Sequence, residues 1–265
     1  MTMTAYLWCL VAVVKRDAAR FVHQRARLLA ALVRPLLWLV VFAAGFRSIL
    51  GVSIIPPYET YITYEVYILP GLVGMVQLFN GMQSSLSMVY DREMGSMRLM
   101  LTSPLPRWWL LFCKLASGCV MSILQVYVFL AVAALVVGGP EPWGYLLALP
   151  VLVLTGFMLG ALGLLLSSTI RQLENFAGVM NFVIFPMFFL SSALYPLWRM
   201  AESSRTLYQI SSVNPFTHAV EAIRFALHGS MNWPSLGWTA LALAIFFGLA
   251  VLGYDAKRGA MGAKA

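Results

Sequence analysis

Charged residues are scarce in this chain of 265 residues: 10 acidic and 18 basic side chains make 11% of the sequence, against 61% hydrophobic. Its mean hydropathy is +0.82. A soluble domain of that length needs far more polar surface, so composition excludes a water-soluble globule and leaves an integral membrane protein. No polar stretch is long enough for a separate unit, which makes residues 1–265 a single membrane domain. The net charge of +8 does not signal nucleic acid, because Lys/Arg patches interleaved with aromatics are missing from the polar segments.

Cysteine, histidine and lysine are sparse as well. Cys9, Cys113 and Cys119 form no CxxC pair and lie in apolar surroundings, which argues against a disulfide framework or a metal site. His23, His218 and His228 make neither HxxxH nor HExxH, so an intramembrane enzyme has no metal or nucleophile–base constellation to build on. His218 with Glu221 has the spacing of a dyad, but a satisfied surface pair is the plainer reading. The four lysines, Lys15, Lys114, Lys257 and Lys264, have no Gly before them and no Ser or Thr after them. A phosphate-cradling Walker A loop is therefore absent. No cofactor or metal is expected on this one. An apolar run near the start precedes its positive charges, the wrong order for a cleavable signal peptide.

Long apolar runs are what the chain does have. A spanning helix needs about 20 mostly apolar residues, and six segments qualify: 31–51, 67–89, 110–138, 144–168, 175–195 and 233–254. The first is the weakest; Arg34 and Arg47 leave a short charge-free run and are expected to snorkel to opposite interfaces. With the N-terminus inside, 14 basic residues fall on the inner side and 4, Arg47, Arg199, Arg205 and Arg224, on the outer. That bias places both termini in the cytoplasm, with 255–265 as a cytosolic tail. Residues 1–30 precede the first span, and their basic second half carries an apolar stripe through Ala18, Phe21, Val22, Ala26 and Leu29. This is the pattern of an interfacial helix drawn to anionic lipid.

Polar residues inside the spans are few enough to name. Gln77, Asn80, Ser84 and Ser87 recur down the second span, Gln125 marks the third, and Asn175 and Asn181 mark the fifth. They either flank a polar route through the membrane or hydrogen-bond helices together. Gly156, Gly160 and Gly163 read as close helix packing. An ion-coupled secondary transporter is the alternative, but it calls for acidic or His residues within the membrane, and the charges here gather at span ends. Two longer polar excursions remain, 90–109 inside and about 196–232 outside. In the first, a short helix runs to Leu101 and the prolines of "SPLPR" force a bend before the third span. In the second, "NPFTHAVEAIR" begins at Asn214-Pro215, a turn and helix start, and spaces His218, Glu221 and Arg224 three residues apart along one helical face.

The segment "REMGSMRLMLTSPLPRWWLLFCKL" resembles the inter-span segment of the type-2 ABC permease family, matching at Glu93, Gly95, Leu99, Ser103, Pro104, Arg107 and Lys114. "FPMFFLSSALYPLWRM" followed by "LYQISSVNPFTHAVEAIRFAL" is similar to the late signature of that family, through Pro186, Leu190, Ser191, Pro196, Asn214, Pro215, Glu221 and Arg224. Ser192 stands where the family usually has glycine, and Arg199-Met200 where it has Leu-Pro. The resemblance implies an all-α fold of six spans with an N-terminal interfacial helix, a cytosolic coupling helix and short re-entrant helices between spans 5 and 6. It implies a permease subunit of an ATP-driven exporter in a bacterial plasma (inner) membrane. Two permease copies, a homodimer, would work with two separate ATPase subunits that bind ATP and Mg. Arg92, Glu93, Gly95, Arg98, Ser103, Pro104 and Arg107 would then couple to the ATPase. Gln77, Asn80, Ser84 and Asn181 would line the path, with Phe188, Phe189 and Leu190 as an apolar gate. Asn214, Pro215, His218, Glu221 and Arg224 would shape a re-entrant outer lid. Drugs, lipids or lipid-linked glycans are the cargo classes the resemblance implies.

Overall fold

The computed structural model describes residues 3–23, 33–41, 45, 56–58, 62–93, 105–138, 142–170 and 172–254. Among them are ten α-helices and no strand. They are α1 (Met3–His23), α2 (33–41), α3 (Tyr64–Glu93), α4 (Arg107–Val137) and α5 (Pro142–Thr169), then α6 (Leu173–Phe189), α7 (Leu197–Ser203), α8 (Arg205–Val213), α9 (Pro215–Leu227) and α10 (Trp233–Gly253).

Three of these helices, α4, α5 and α10, are long and apolar enough to cross a membrane by length and composition. Helix α3 has the length, 30 residues, but Gln77, Asn80 and Gln83 interrupt its apolar character. The most apolar window of α5 is 61% buried within the chain, and that of α10 only 11%. Helix α5 is therefore the centre of the bundle, in contact with α3, α4, α9 and α10, while α10 presents most of its surface outward.

Close approach at the centre depends on missing side chains. A Cβ on Gly81 of α3 would lie 2.9 Å from the backbone nitrogen of Gly160, and one on Gly163 would lie 2.8 Å from the Gly81 carbonyl oxygen. The two helices thus touch backbone to backbone, as expected for small residues four apart on a membrane helix. A Cβ on Gly156 would lie 2.8 Å from the Cys119 sulfur of α4, so three helices meet along this one strip.

Helix α1 packs along the first third of α4. Trp109 Nε1 donates to the Tyr6 carbonyl at 3.3 Å, the two rings meet edge-on at 5.3 Å, and Ser117 Oγ donates to Asp17 at 3.0 Å. Leu7, Trp8 and Val11 point outward. In α2 the Arg34 guanidinium lies 4.1 Å above the Phe79 ring, near the middle of α3. An aromatic face thus supplies Arg34 with a partner on α3.

The fifth apolar segment is also shorter as a helix than its sequence suggests. Residues 175–195 are expected to span, whereas α6 ends at Phe189 after 17 residues. Pro186 has no amide hydrogen to give, and beyond Leu190 the chain turns through 191–195 into Pro196. Residues 24–32 and 94–104 lie outside the described set, as does the tail from 255.

A Gly81→Val change puts branched carbon against the α5 backbone and is expected to lower stability by about 1–3 kcal/mol, as overpacking does. Gly178 and Gly237 have open space at their Cβ positions, so alanine at either should leave the thermal unfolding midpoint of the purified protein unchanged or slightly raised.

Candidate functional site

Two polar centres stand out in an otherwise apolar molecule. The first lies where α6 ends. Once a helix stops, its last carbonyls need donors, and a membrane interior offers no water to provide them. Here side chains do so one by one. Asn214 Nδ2 donates to the carbonyls of Met187 (2.8 Å) and Leu190 (2.6 Å), while its Oδ1 accepts from Phe216 N at 2.9 Å and caps α9. Ser191 Oγ donates to Phe188 O at 2.6 Å. The Ser192 carbonyl accepts from Tyr67 Oη (2.8 Å) and Arg224 Nη2 (2.8 Å), and that of Leu194 from Tyr64 Oη at 3.0 Å.

Arg224 is 2% exposed, although it reads as a surface residue in the sequence. It pairs with Glu221 one turn earlier, its guanidinium lies 4.2 Å over the Tyr67 ring, and it interacts electrostatically with the Tyr58 phenol. Burial alone lowers its pKa, but the Glu221 carboxylate and the two phenols outweigh that, and the net direction is upward. The arginine stays charged. Its Nε has no hydrogen-bond partner among the described residues.

His218, Glu221 and Arg224 do not act as one cluster. Arg224 points into the bundle, Glu221 sits beside it, and His218 stacks on Trp238 of α10 at 5.6 Å. Burial lowers the His218 pKa, against smaller opposing effects of the Ser212 backbone and Glu221. The Glu221 carboxylate is thus engaged by arginine and does not orient the imidazole.

The second centre lies between α3, α4 and α5. Gln77 is 1% exposed and bonded at both ends: Nε2 donates to Leu152 O (2.8 Å) and Oε1 accepts from Thr155 Oγ1 (2.7 Å). Asn80 donates to Gln125. Lys114, 6% exposed, donates to Ser87 Oγ at 3.1 Å, and Ser87 in turn to Ser84 O. Ser84, Ser85, Lys114 and Ser122 line a cavity of about 10 Å³, room for a single water. Both amides on α3 therefore tie helices together within one copy of the chain.

The remaining expected positions scatter. Phe188 is fully buried and packs at 6.2 Å on Phe216 of α9, whereas Phe189 on the other side of α6 is exposed. Leu190 is half-buried, and Asn181 is exposed on the same helix as Phe182, Phe185 and Phe189. Arg92 and Glu93 close α3, with Glu93 exposed, and Arg107 opens α4. Gly95, Arg98, Ser103 and Pro104 lie outside the described residues. The sequence reading noted Ser192 only as a departure from the family pattern and passed over Tyr64 and Tyr67, although two tyrosines three apart at the start of an apolar run signal hydroxyls presented on one helical face.

The sequence pattern of the ABC-2 type transporter family matches residues 9–228, which takes in both polar centres. The chain is 28% identical over 226 residues to ycf38 of Porphyra purpurea, covering 84% of this chain and 74% of that protein, whose name describes a transport permease. It is 30% identical over 232 residues to ycf38 of Cyanophora paradoxa, covering 84% and 75%. To YbhR of Escherichia coli (strain K12), named as a multidrug ABC transporter permease, it is 27% identical over 197 residues, covering 73% and 53%.

Removing one partner of a buried pair strands the other charge, at a cost of about 3–5 kcal/mol. Glu221→Gln is expected to destabilise by that order, whereas Glu221→Gln combined with Arg224→Met should cost clearly less than the two single changes summed. Thermal unfolding of the four proteins measures this; strictly additive losses would show that the two side chains do not interact.

Proposed function

This chain belongs to the ABC-2 type transporter family, and on that premise we propose that it is the membrane-spanning permease subunit of an ATP-driven exporter. In this reading six spans carry both termini on the cytoplasmic side, and two copies assemble with two separate ATPase subunits. The 14-to-4 division of basic residues supports the orientation. None of the four lysines sits in a nucleotide-binding loop, which supports a separate ATPase.

The observation that carries the reading is the uncovered face of α6. Asn181 lies exposed there in a row with Phe182, Phe185 and Phe189. An amide facing hydrocarbon is costly, so this face suits a second copy and an aqueous route better than lipid. The short α6 ends where α7, α8 and α9 begin, and these helices form the outer lid over that route. Phe188, Phe189 and Leu190 stand at its mouth as an apolar gate. Asn80 and Ser84 border the route from α3, with Gln77 holding α3 to α5 behind them.

At the opposite end, Glu93 and Arg107 bracket the connection that receives the push of the ATPase, with Arg92, Gly95, Arg98, Ser103 and Pro104 in or beside it. Rigid helices on both flanks turn that push into a tilt of α3 against α4. The cargo is a hydrophobic or amphiphilic molecule carried outward.

Co-expression with a candidate ABC ATPase subunit tests the proposal. Glu93→Ala with Arg98→Ala should abolish co-purification and the stimulation of ATP hydrolysis by the permease, while leaving the thermal unfolding midpoint of the permease unchanged. Transport by the chain alone in ATP-free vesicles would contradict it.

A further inference from the structure

The hairpin of α7 and α8 is barely packed on the rest of the chain. No residue of α7 is buried, and in α8 only Ser211 is. Between the hairpin and the end of α6 lies a cavity of about 230 Å³. Its walls include Leu190, Met200 and Leu207, and Arg199, Ser203 and Ser211 supply polar groups.

Ser211 is the informative residue. It is fully buried, and its hydroxyl has no hydrogen-bond partner among the described residues. Serines on nearby helices bond back to their own turn, as Ser212 does to Gln209 O at 2.9 Å. Ser211 makes no such bond and lines the cavity. Buried hydroxyls are ordinarily paired, so this one awaits an acceptor from a ligand. Arg199 adds a charge: its guanidinium rests 5.2 Å from the Trp198 ring and makes no ion pair among the described residues.

The outward side of the hairpin shows where such a ligand comes from. Trp198, Leu207, Tyr208, Ile210 and Val213 are exposed beside Arg199 and Arg205. Aromatic, aliphatic and basic side chains mixed in this way belong at the boundary of lipid and water. We propose that this cavity seats an anionic phospholipid of the surrounding bilayer. The phosphate is held by Arg199 and Ser203, an ester carbonyl accepts from Ser211, and the start of an acyl chain lies on Leu190, Met200 and Leu207. Among the described residues no carboxylate lines the cavity, so a choline headgroup finds no counter-charge there, and a net negative lipid is preferred. The assignment requires only that the chain is embedded in a membrane, and it stands or falls independently of export and of the ATPase.

Native mass spectrometry of the full chain in detergent, titrated with phosphatidylglycerol or phosphatidylcholine, tests it. Phosphatidylglycerol should bind more tightly, and Arg199→Ala should remove that preference with a loss of at least about tenfold, the scale of one charge-assisted hydrogen bond. Arg199 is exposed, so this variant keeps its fold. Ser211→Ala should weaken both lipids alike, because both carry the ester. Arg205→Ala, the same charge removed from a residue that does not line the cavity, should leave the preference intact. Equal binding of the two lipids by the unaltered chain, or a preference that survives Arg199→Ala, overturns the proposal. Displacement of the lipid by inorganic phosphate at comparable concentration would also overturn it, in favour of a free-anion site.

Discussion

Everything at the lid end of the molecule depends on how the end of α6 is satisfied. A helix that stops inside a membrane protein leaves carbonyls without donors, and lipid cannot supply them. In this chain the side chains of Asn214, Ser191, Tyr67, Arg224 and Tyr64 bond the carbonyls of Met187, Phe188, Leu190, Ser192 and Leu194. Three elements far apart in sequence, α3, α6 and α9, are joined through that one turn. Asn214 does two tasks at once, since it also caps α9. With both ends of the turn fixed, α9 packs on α3, α5 and α10, and Phe216 fits against Phe188.

The charge on Arg224 fits the same logic. A neutral side chain could reach Ser192 O, but a charged one holds Glu221 and the Tyr67 ring as well, so a single residue organises three neighbours. That arrangement is more a device for shape than a source of net stability, because desolvating an ion pair offsets much of its attraction. The joint gives this end of the molecule a rigid polar edge, with the loosely packed hairpin α7–α8 at the other. The polar centre between α3, α4 and α5 is its counterpart deeper in the bundle. There Gln77 and the glycines of α5 hold α3 and α5 in close contact.

Much of this was legible in the sequence, for identifiable reasons. The runs at 67–89, 110–138, 144–168 and 233–254 coincide with α3, α4, α5 and α10 to within a few residues, because a long apolar run has few alternatives to a helix. The end of α6 was not legible. Apolarity continues past Phe189, and the donors that take up the carbonyls of the turn come from Asn214, Tyr67 and Arg224, remote in sequence. Burial of Arg224 was equally hidden: its acceptor on Ser192 lies 32 positions away, a distance at which residue spacing carries no signal. The contact of Arg34 with Phe79 was hidden for a related reason, since it is visible only in three dimensions. Family resemblance singled out the "NPFTHAVEAIR" stretch, but not the carbonyls that it serves.

The claim that one joint holds the lid is tested most directly by hydrogen exchange on the full chain in lipid nanodiscs, comparing the unaltered protein with Asn214→Ala. The account predicts that backbone amides of the 190–195 turn and of the first turn of α9 lose protection together, while those of α4 and α5 do not change. Loss confined to the first turn of α9, with the 190–195 turn as protected as before, would contradict it.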